Sequence, residues 1–364
     1  MTHCYSNKTS VLVVGGSGVI GSAFLRHIAT KEDVTAIGLA RRPILPLAEN
    51  IMPLKCDLLD FDKDDCEHLQ LKHKLKEVTY LVYAAYIDGD NDKAIRAANT
   101  KLFSHALRFV SHFCPNLIHV TLMQGMKAYG THLGPHKTPS QERDPRLCQP
   151  HFYYDQEDSL NKSSNEYKWG WSILRPHVVI GPALRSPMNL AVVIGVYATL
   201  CKEQKLSFQF PGIAGAFLPI YQATDSGLLA KAIEWAGSNQ SAWGQIFNIT
   251  NGDFFRWCHM WPFIGDYFNL EIEGPADSFN YVPLEERFKN ATLIWKKIAL
   301  QEGLKICDLN ELVSWKFGDY VFQIEWDVMA DTTKCRQAGF LEFIDSEKMF
   351  VNRFNELRQL QIIP

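Results

Sequence analysis

Val11 to Val14 are continuously apolar and rich in β-branched side chains. Such a run suits a strand covered on both faces rather than one with a wet side. Five further apolar runs follow: Val34 to Ala40, Ile51 to Leu54, Val78 to Ala85, Asn116 to Met123 and Trp171 to Gly181. Helix-length stretches separate them, most clearly from Asp92 to Phe113. Strands alternating with helices at this spacing predict βαβ units and a parallel sheet. The fold class expected is therefore α/β, a doubly wound sheet that takes its ligand at the carboxyl ends of its strands.

After Gly181 the rhythm breaks. Helical segments are predicted around Pro187–Glu203, Asp225–Ala236 and Phe254–Phe268, in a region rich in Trp and Phe. Within the last, Phe254, Trp257, Trp261, Ile264 and Phe268 recur at helical spacing and read as one buried face. Asp253 is the expected N-cap, and Pro262 is expected to kink the helix. The expected organisation is a nucleotide-binding domain over 1–181 and a smaller, mainly helical substrate lobe over 182–364. Roughly 216–250 is expected to return to the first domain, with "AFLPIY" and "QIFNIT" as short strands.

The chain has 364 residues, 46% of them hydrophobic, and a net charge of −3. That is ordinary globular composition, with no basic excess to call for a nucleic-acid or anionic-membrane partner. The nine cysteines form no CxxC pair, the N-terminus is short and polar, and no apolar run approaches a membrane span. A soluble protein of the reducing cytoplasm is expected. The sequence leaves the oligomeric state open, with a homodimer one option.

Gly15, Gly18 and Gly21 stand at positions one, four and seven of a loop that follows a buried strand and opens a helix. Glycine permits the tight turn and lets backbone N–H groups approach a pyrophosphate, while the helix start adds partial positive charge. The end of the second strand then selects the cofactor. An acidic residue there would bond a ribose 2′-hydroxyl; Arg41 and Arg42 stand there instead, which favours a 2′-phosphate and hence NADP(H). Asp57 and Leu58, after the third strand, are expected at the adenine edge.

In hydride-transferring enzymes a tyrosine at a helix start commonly has a lysine four residues on, on the same helical face. In "HFYYDQEDSL" the residue four after Tyr153 is Glu157, and four after Tyr154 is Asp158. Lys127, in "TLMQGMKAYG" after the fifth strand, is positioned to replace it. A cation near a tyrosine lowers its pKa and helps it hold negative charge on a substrate oxygen. His132 and His136 flank a Gly-Pro that argues against the helix needed to bring both to one metal ion, so no metal is assigned.

These strings together resemble an extended short-chain dehydrogenase/reductase. More narrowly, "GMKAYGTHLGP", "FYYDQED" and "NITNGDFFRWCHMWP" resemble the progesterone 5β-reductase/iridoid synthase group, over nearly the whole chain. The resemblance implies Tyr153 as the catalytic tyrosine with Lys127 as its partner, and leaves Tyr154, Glu157 and Asp158 to packing or capping. It implies Gly18, Val19 and Ile20 at the phosphates, Arg41 and Arg42 at the 2′-phosphate, and Asp57 and Leu58 at adenine. Ala85, Gln124, Val179, Ser186 and Met188 would lie along the ribose and nicotinamide. Tyr86 stands where plant members often carry Trp, and no serine stands near Gln124-Gly125, so a Ser-Tyr-Lys triad is not expected.

The activity so implied is NADPH-dependent reduction of the activated C=C bond of a small apolar enone or enal. Tyr153 and Lys127 would stabilise the enolate oxygen. The alternatives are carbonyl reduction by the same two residues, or a regulator that binds NADP without turnover.

Overall fold

The computed structural model describes residues 9–44, 47–61, 71–183, 186, 188–277 and 280–364. Seven strands form one sheet: β1 Thr9–Val14, β2 Val34–Ala40, β3 Ile51–Lys55, β4 Tyr80–Tyr83, β5 His119–Met123, β6 Gly170–Pro176 and β7 Gln245–Ile249. Their spatial order is β3-β2-β1-β4-β5-β6-β7, and every neighbouring pair is parallel. All six residues of β1 are buried, as a strand covered on both faces requires. The strand order reverses between β1 and β4, so a crevice opens beyond their carboxyl ends.

One face of the sheet is covered by α1 (Val19–Ala29), the other by α2 (Asp92–Phe113) and α3 (Phe152–Tyr167). Asn91 caps α2, its side chain accepting from the Ala94 amide at 3.0 Å. Asp155 of α3 takes two hydrogen bonds from the Arg96 guanidinium, at 2.7 and 2.8 Å, and one from Thr100 at 2.9 Å. This clamp sets the start of α3 against α2.

The helices α4 (Leu190–Gln204), α5 (Ser226–Ser238) and α6 (Trp257–Phe268) follow in the chain, and α5 packs beside α1 on the sheet. The helices α4 and α6 build a separate core with Trp295, Phe322, Phe350 and Phe354. Trp261 is fully buried, stacks on Phe208 at 4.3 Å and donates its indole N–H to the Phe208 carbonyl at 3.0 Å.

Three local expectations need correction. "QIFNIT" supplies β7, but Ile220–Tyr221 of "AFLPIY" pairs antiparallel with Phe255–Arg256, away from the sheet. The sixth apolar run is two strands: β6 ends at Pro176, and Val179–Ile180 pairs with Thr224–Asp225. Asp253 does not cap α6, which starts at Trp257. Its carboxylate holds the Ser346 amide and hydroxyl at 2.8 and 2.6 Å, and Phe254 is 60% exposed outside the buried face.

Gly15 ties the loop after β1 to the end of β4. Its φ is +89°, and a Cβ there would lie 2.8 Å from the backbone of Ala84 and Ala85. Both faults fall on backbone, which cannot swing aside. Gly15→Ala is expected to lower unfolding stability by about 2 kcal/mol or more, read as a lower urea midpoint; an unchanged midpoint would show that this approach is not tight.

Candidate active site

The glycine loop sits at the carboxyl edge of the sheet. The amides of Gly15 and Gly16 donate to the Leu39 carbonyl at 2.9 and 3.1 Å, which fastens the loop to the end of β2. A Cβ at Gly21 would meet the Gly15 carbonyl oxygen at 2.3 Å, so α1 packs onto the turn only because residue 21 lacks one. Gly18 is the N-cap of α1, no side chain caps that end, and no acidic residue lies in its first turn. The first N–H groups of a helix have no partner within it, so this end favours an anion by roughly 0.3–1 kcal/mol. Arg41 and Arg42 follow β2 directly and are exposed. The residues present therefore fit a dinucleotide.

The remaining positions carried by the resemblance fall unevenly. Ala85 adjoins Gly15 at the end of β4. The Asp57 carboxylate accepts from the Leu59 amide at 3.0 Å, so one oxygen closes its own turn. The Leu58 side chain is 2% exposed, within the core. Val179 is half-buried, Ser186 is partly exposed and Met188 is 39% exposed. The Gln124 side chain turns inward: its amide nitrogen Nε2 donates to the Tyr153 carbonyl at 2.9 Å, and its Oε1 accepts from Arg175 Nε at 3.2 Å. A contact of Gln124 with a cofactor is left to its backbone.

Tyr153 lies in the first turn of α3. The N-cap is His151, whose Nδ1 accepts from the Tyr153 amide at 3.2 Å, and the two rings meet edge-on at 4.6 Å. The phenol reaches across to the loop after β5. A Cβ on Gly125 would stand 3.2 Å from Tyr153 Oη, so the bare glycine makes room for the hydroxyl. Burial pushes the Tyr153 pKa well above the ordinary phenol value; Arg175 pulls it back in part and Tyr320 adds to the rise. The group is therefore a neutral phenol at neutral pH, with a proton to share.

Lys127 sits in the single turn Met126–Tyr129, two residues past Gly125. Its Nζ lies 5.5 Å from the centre of the Tyr320 ring. Burial lowers its pKa, while Asp92 and Asp88 oppose the shift. Among the described residues no hydrogen bond or ion pair joins Lys127 to Tyr153. Lys127 stands on the turn after β5 and Tyr153 on α3, and in place of the expected direct lysine–phenol pairing Tyr320 stands by both.

Tyr154 is spoken for. Its hydroxyl donates to the Ala128 carbonyl at 2.8 Å and accepts from the Leu147 amide at 3.0 Å. It pins α3 to the Lys127 turn, the packing role expected of it. Glu157 is 4% exposed and pairs with Arg175 at 2.6 Å and with Arg146 at 2.8 Å; Asp158 pairs with Arg146 at 2.9 Å.

Sequence reasoning missed Tyr320, His151 and Arg175. Tyr320 comes from the helix Trp315–Phe322, some 170 positions after the tyrosine pair, and no local pattern marks it. His151 was visible as the residue before an apolar helix start, but histidine is a rare cap. Arg175 stood in plain view within "RPHVVIG", an arginine inside an otherwise apolar strand, which is the usual signal of a buried charge with a partner.

A family profile described as "PRISE-like Rossmann-fold domain" matches residues 11–364. The chain belongs to the PRISE-like family. Among curated proteins it is 30% identical to an (S)-8-oxocitronellyl enol synthase of Catharanthus roseus, over 99% of this chain and 94% of the relative. It is 29% identical to a 3-oxo-Delta(4,5)-steroid 5-beta-reductase of Arabidopsis thaliana, over the same shares. Among solved structures the PRISE-like chain matches a UDP-glucuronic acid 4-epimerase of Bacillus cereus in complex with NAD. The TM-score is 0.67 at 12% identity, over 97% of this chain and all of that one, a likeness of fold.

Three histidines are held neutral: His151 at the site, His177 just after β6, and His119 at the opposite, amino end of β5. Burial, with His132 and Lys127 nearby, pushes His151 down to about 4. Burial pushes His177 down to about 4 and His119 to about 3. An unfolded histidine titrates near ~6.5, so between these values the unfolded chain binds more protons than the folded one. Their contribution is complete above about pH 6.5 and is lost as pH falls through the folded values. The melting temperature is expected to drop steadily from about pH 6.5 to about pH 4, and His177→Gln to lessen that slope. A flat profile over this range would contradict the assignment.

Proposed function

We propose that this chain is an NADPH-dependent reductase of activated C=C bonds, acting on a small apolar enone or enal by delivery of hydride to the β-carbon. The observation that carries the reading is the place of the half-buried Tyr153, a neutral phenol at neutral pH whose hydroxyl is set against Gly125 at the carboxyl edge of β5. A hydroxyl that keeps its proton is suited to donate to an oxygen gaining charge. It is poorly suited to take a proton from an alcohol. The activities named for the two relatives, an enol synthase and a steroid 5-beta-reductase, support this chemistry.

The amides of Val19, Ile20 and Gly21 at the start of α1 would hold the pyrophosphate, with Gly15 and Gly18, whose own amides bond within the loop and to β2, shaping the turn around it, and Arg41 and Arg42 the 2′-phosphate. Asp57 and Leu58 would border adenine, and Ala85, Gln124, Val179, Ser186 and Met188 the ribose and nicotinamide. The bound dinucleotide supplies the hydride. Tyr153 donates its O–H to the substrate carbonyl oxygen and strengthens that bond as the oxygen becomes an enolate. Lys127 supplies positive potential from the neighbouring turn, and the Tyr320 ring beside it forms part of the wall that excludes water.

Among the described residues no helix is long and apolar enough to cross a membrane, and the described cysteines carry no disulfide. Both suit a protein working in a reducing cytoplasm.

One good oxyanion donor contributes roughly 3 kcal/mol, or about a hundred-fold in rate. Tyr153→Phe is expected to lower kcat on 2-cyclohexen-1-one by about that factor, and Lys127→Ala by at least about ten-fold. NADPH affinity should stay within about two-fold in both. Undiminished turnover in both variants would remove the mechanism, and an allylic alcohol as product would move the reading to carbonyl reduction. Separately, Arg41→Ala is expected to erase most of the preference for NADPH over NADH, measured as the ratio of kcat/KM values. A preference left intact would show that the end of β2 does not choose the cofactor.

A further inference from the structure

The helix position that would carry a lysine in a Tyr-x-x-x-Lys pair is occupied by Glu157. A carboxylate there reverses the charge needed beside the phenol. The structure answers this with Arg175, which projects from the carboxyl end of β6 and is 4% exposed. Its Nη2 donates to Glu157 Oε1 at 2.6 Å, and its Nε donates to Gln124 Oε1 at 3.2 Å. Its guanidinium also lies 4.9 Å from the centre of the Tyr129 ring. Gln124 completes the connection by donating Nε2 to the Tyr153 carbonyl oxygen at 2.9 Å.

The chemistry of this chain of contacts runs one way. Arginine can only donate and a backbone carbonyl can only accept, so the orientation of the Gln124 amide is determined by its two partners. The far carboxylate oxygen of Glu157 accepts from Arg146 at 2.8 and 3.1 Å, so that oxygen too is occupied. Tyr129, under the guanidinium, donates to Asn248 Oδ1 at 2.7 Å in β7. Arg175 thus grips α3 at two points, through Gln124 at Tyr153 and directly at Glu157 one turn later. Pro176, the next residue, places its carbonyl oxygen within 3.4 Å of the same Gly125 Cβ position that the phenol oxygen approaches.

We propose that Arg175 is the positioning residue for Tyr153, fixing the tyrosine turn through Gln124 and Glu157 and holding a permanent positive charge behind it. The inference rests on the reading of Tyr153 as the oxygen donor. It assigns to Gln124 a relay role rather than a cofactor contact by its side chain. The acidity of the phenol agrees in direction, since Arg175 is the group that offsets part of the effect of burial on Tyr153.

Three variants separate the roles. Gln124→Met keeps the arginine and breaks the relay. The double variant Arg175→Met with Glu157→Met replaces the ion pair by apolar side chains and leaves neither charge stranded. Arg175→Lys keeps the charge and loses the fork. For each, the melting temperature, the NADPH dissociation constant, and kcat and KM on 2-cyclohexen-1-one are measured. Protein labelled with carbon-13 at tyrosine Cζ reports Tyr153 directly, its resonance assigned by absence in Tyr153→Phe.

The expected result for Gln124→Met and the double variant is a kcat lowered about ten-fold or more, with KM and NADPH affinity within about three-fold. The Tyr153 resonance should move in both, and Arg175→Lys should recover part of the loss. Folded variants with unchanged kcat and an unmoved resonance would overturn the proposal, and either of the first two suffices should the other fail to fold. If the wild-type protein reduces no enone, the reading of function falls, and the resonance alone decides whether Arg175 positions Tyr153.

Discussion

The ion pair between Arg175 and Glu157 is the constraint on which the site depends. Both side chains are about one-twentieth exposed, and their charged atoms are 2.6 Å apart. Removing Glu157 would strand the buried Arg175 charge, at a cost of roughly 3–5 kcal/mol, whereas Glu157 would keep Arg146 as a partner if Arg175 were lost. The pair joins β6 to α3, and Gln124 and Tyr154 join α3 to the loop after β5. Three separate segments are thereby held at one edge of the sheet, where the strand order has already opened a crevice.

The same arrangement explains how a protein without the usual in-helix lysine can still present a tyrosine. Burial alone makes the phenol a reluctant acid, which is a handicap for an enzyme that must deprotonate an alcohol. For a reductase that only shares a proton with a developing oxyanion, a retained proton is the useful state. Lys127 and Arg175 then differ in kind. Lys127 approaches from the loop, near Tyr320, and burial lowers its pKa against the pull of Asp92 and Asp88. Arg175 stands behind the helix and stays charged, since Glu157 and Tyr129 outweigh the cost of its burial.

Much of the fold was legible because local signals agreed with one another. The six apolar runs correspond to β1 through β6, and the second, Val34–Ala40, coincides with its strand at both ends. The helix Asp92–Phe113 was readable from end to end. What failed was the detail of connections. Asp253 looked like a helix cap because an acidic residue before an apolar run usually is one; a distant serine, Ser346, competes for it. The site was half legible. Gly15, Gly21, Tyr153 and Lys127 carry short-range signatures, whereas Tyr320 and the Gln124 relay arise from contacts across long stretches of chain that no spacing encodes. Glu157 was expected in helix packing or capping, and its ion pair with Arg175 has no local signal because that partner lies eighteen positions away, on another element.

The most direct test is a crystal structure of the protein with NADP⁺ and a slowly reduced cyclic enone. The account expects the enone carbonyl oxygen within about 3 Å of Tyr153 Oη, above Gly125. It also expects the β-carbon to face the nicotinamide ring. A carbonyl oxygen turned away from Tyr153, with the phenol bonded elsewhere, would contradict it.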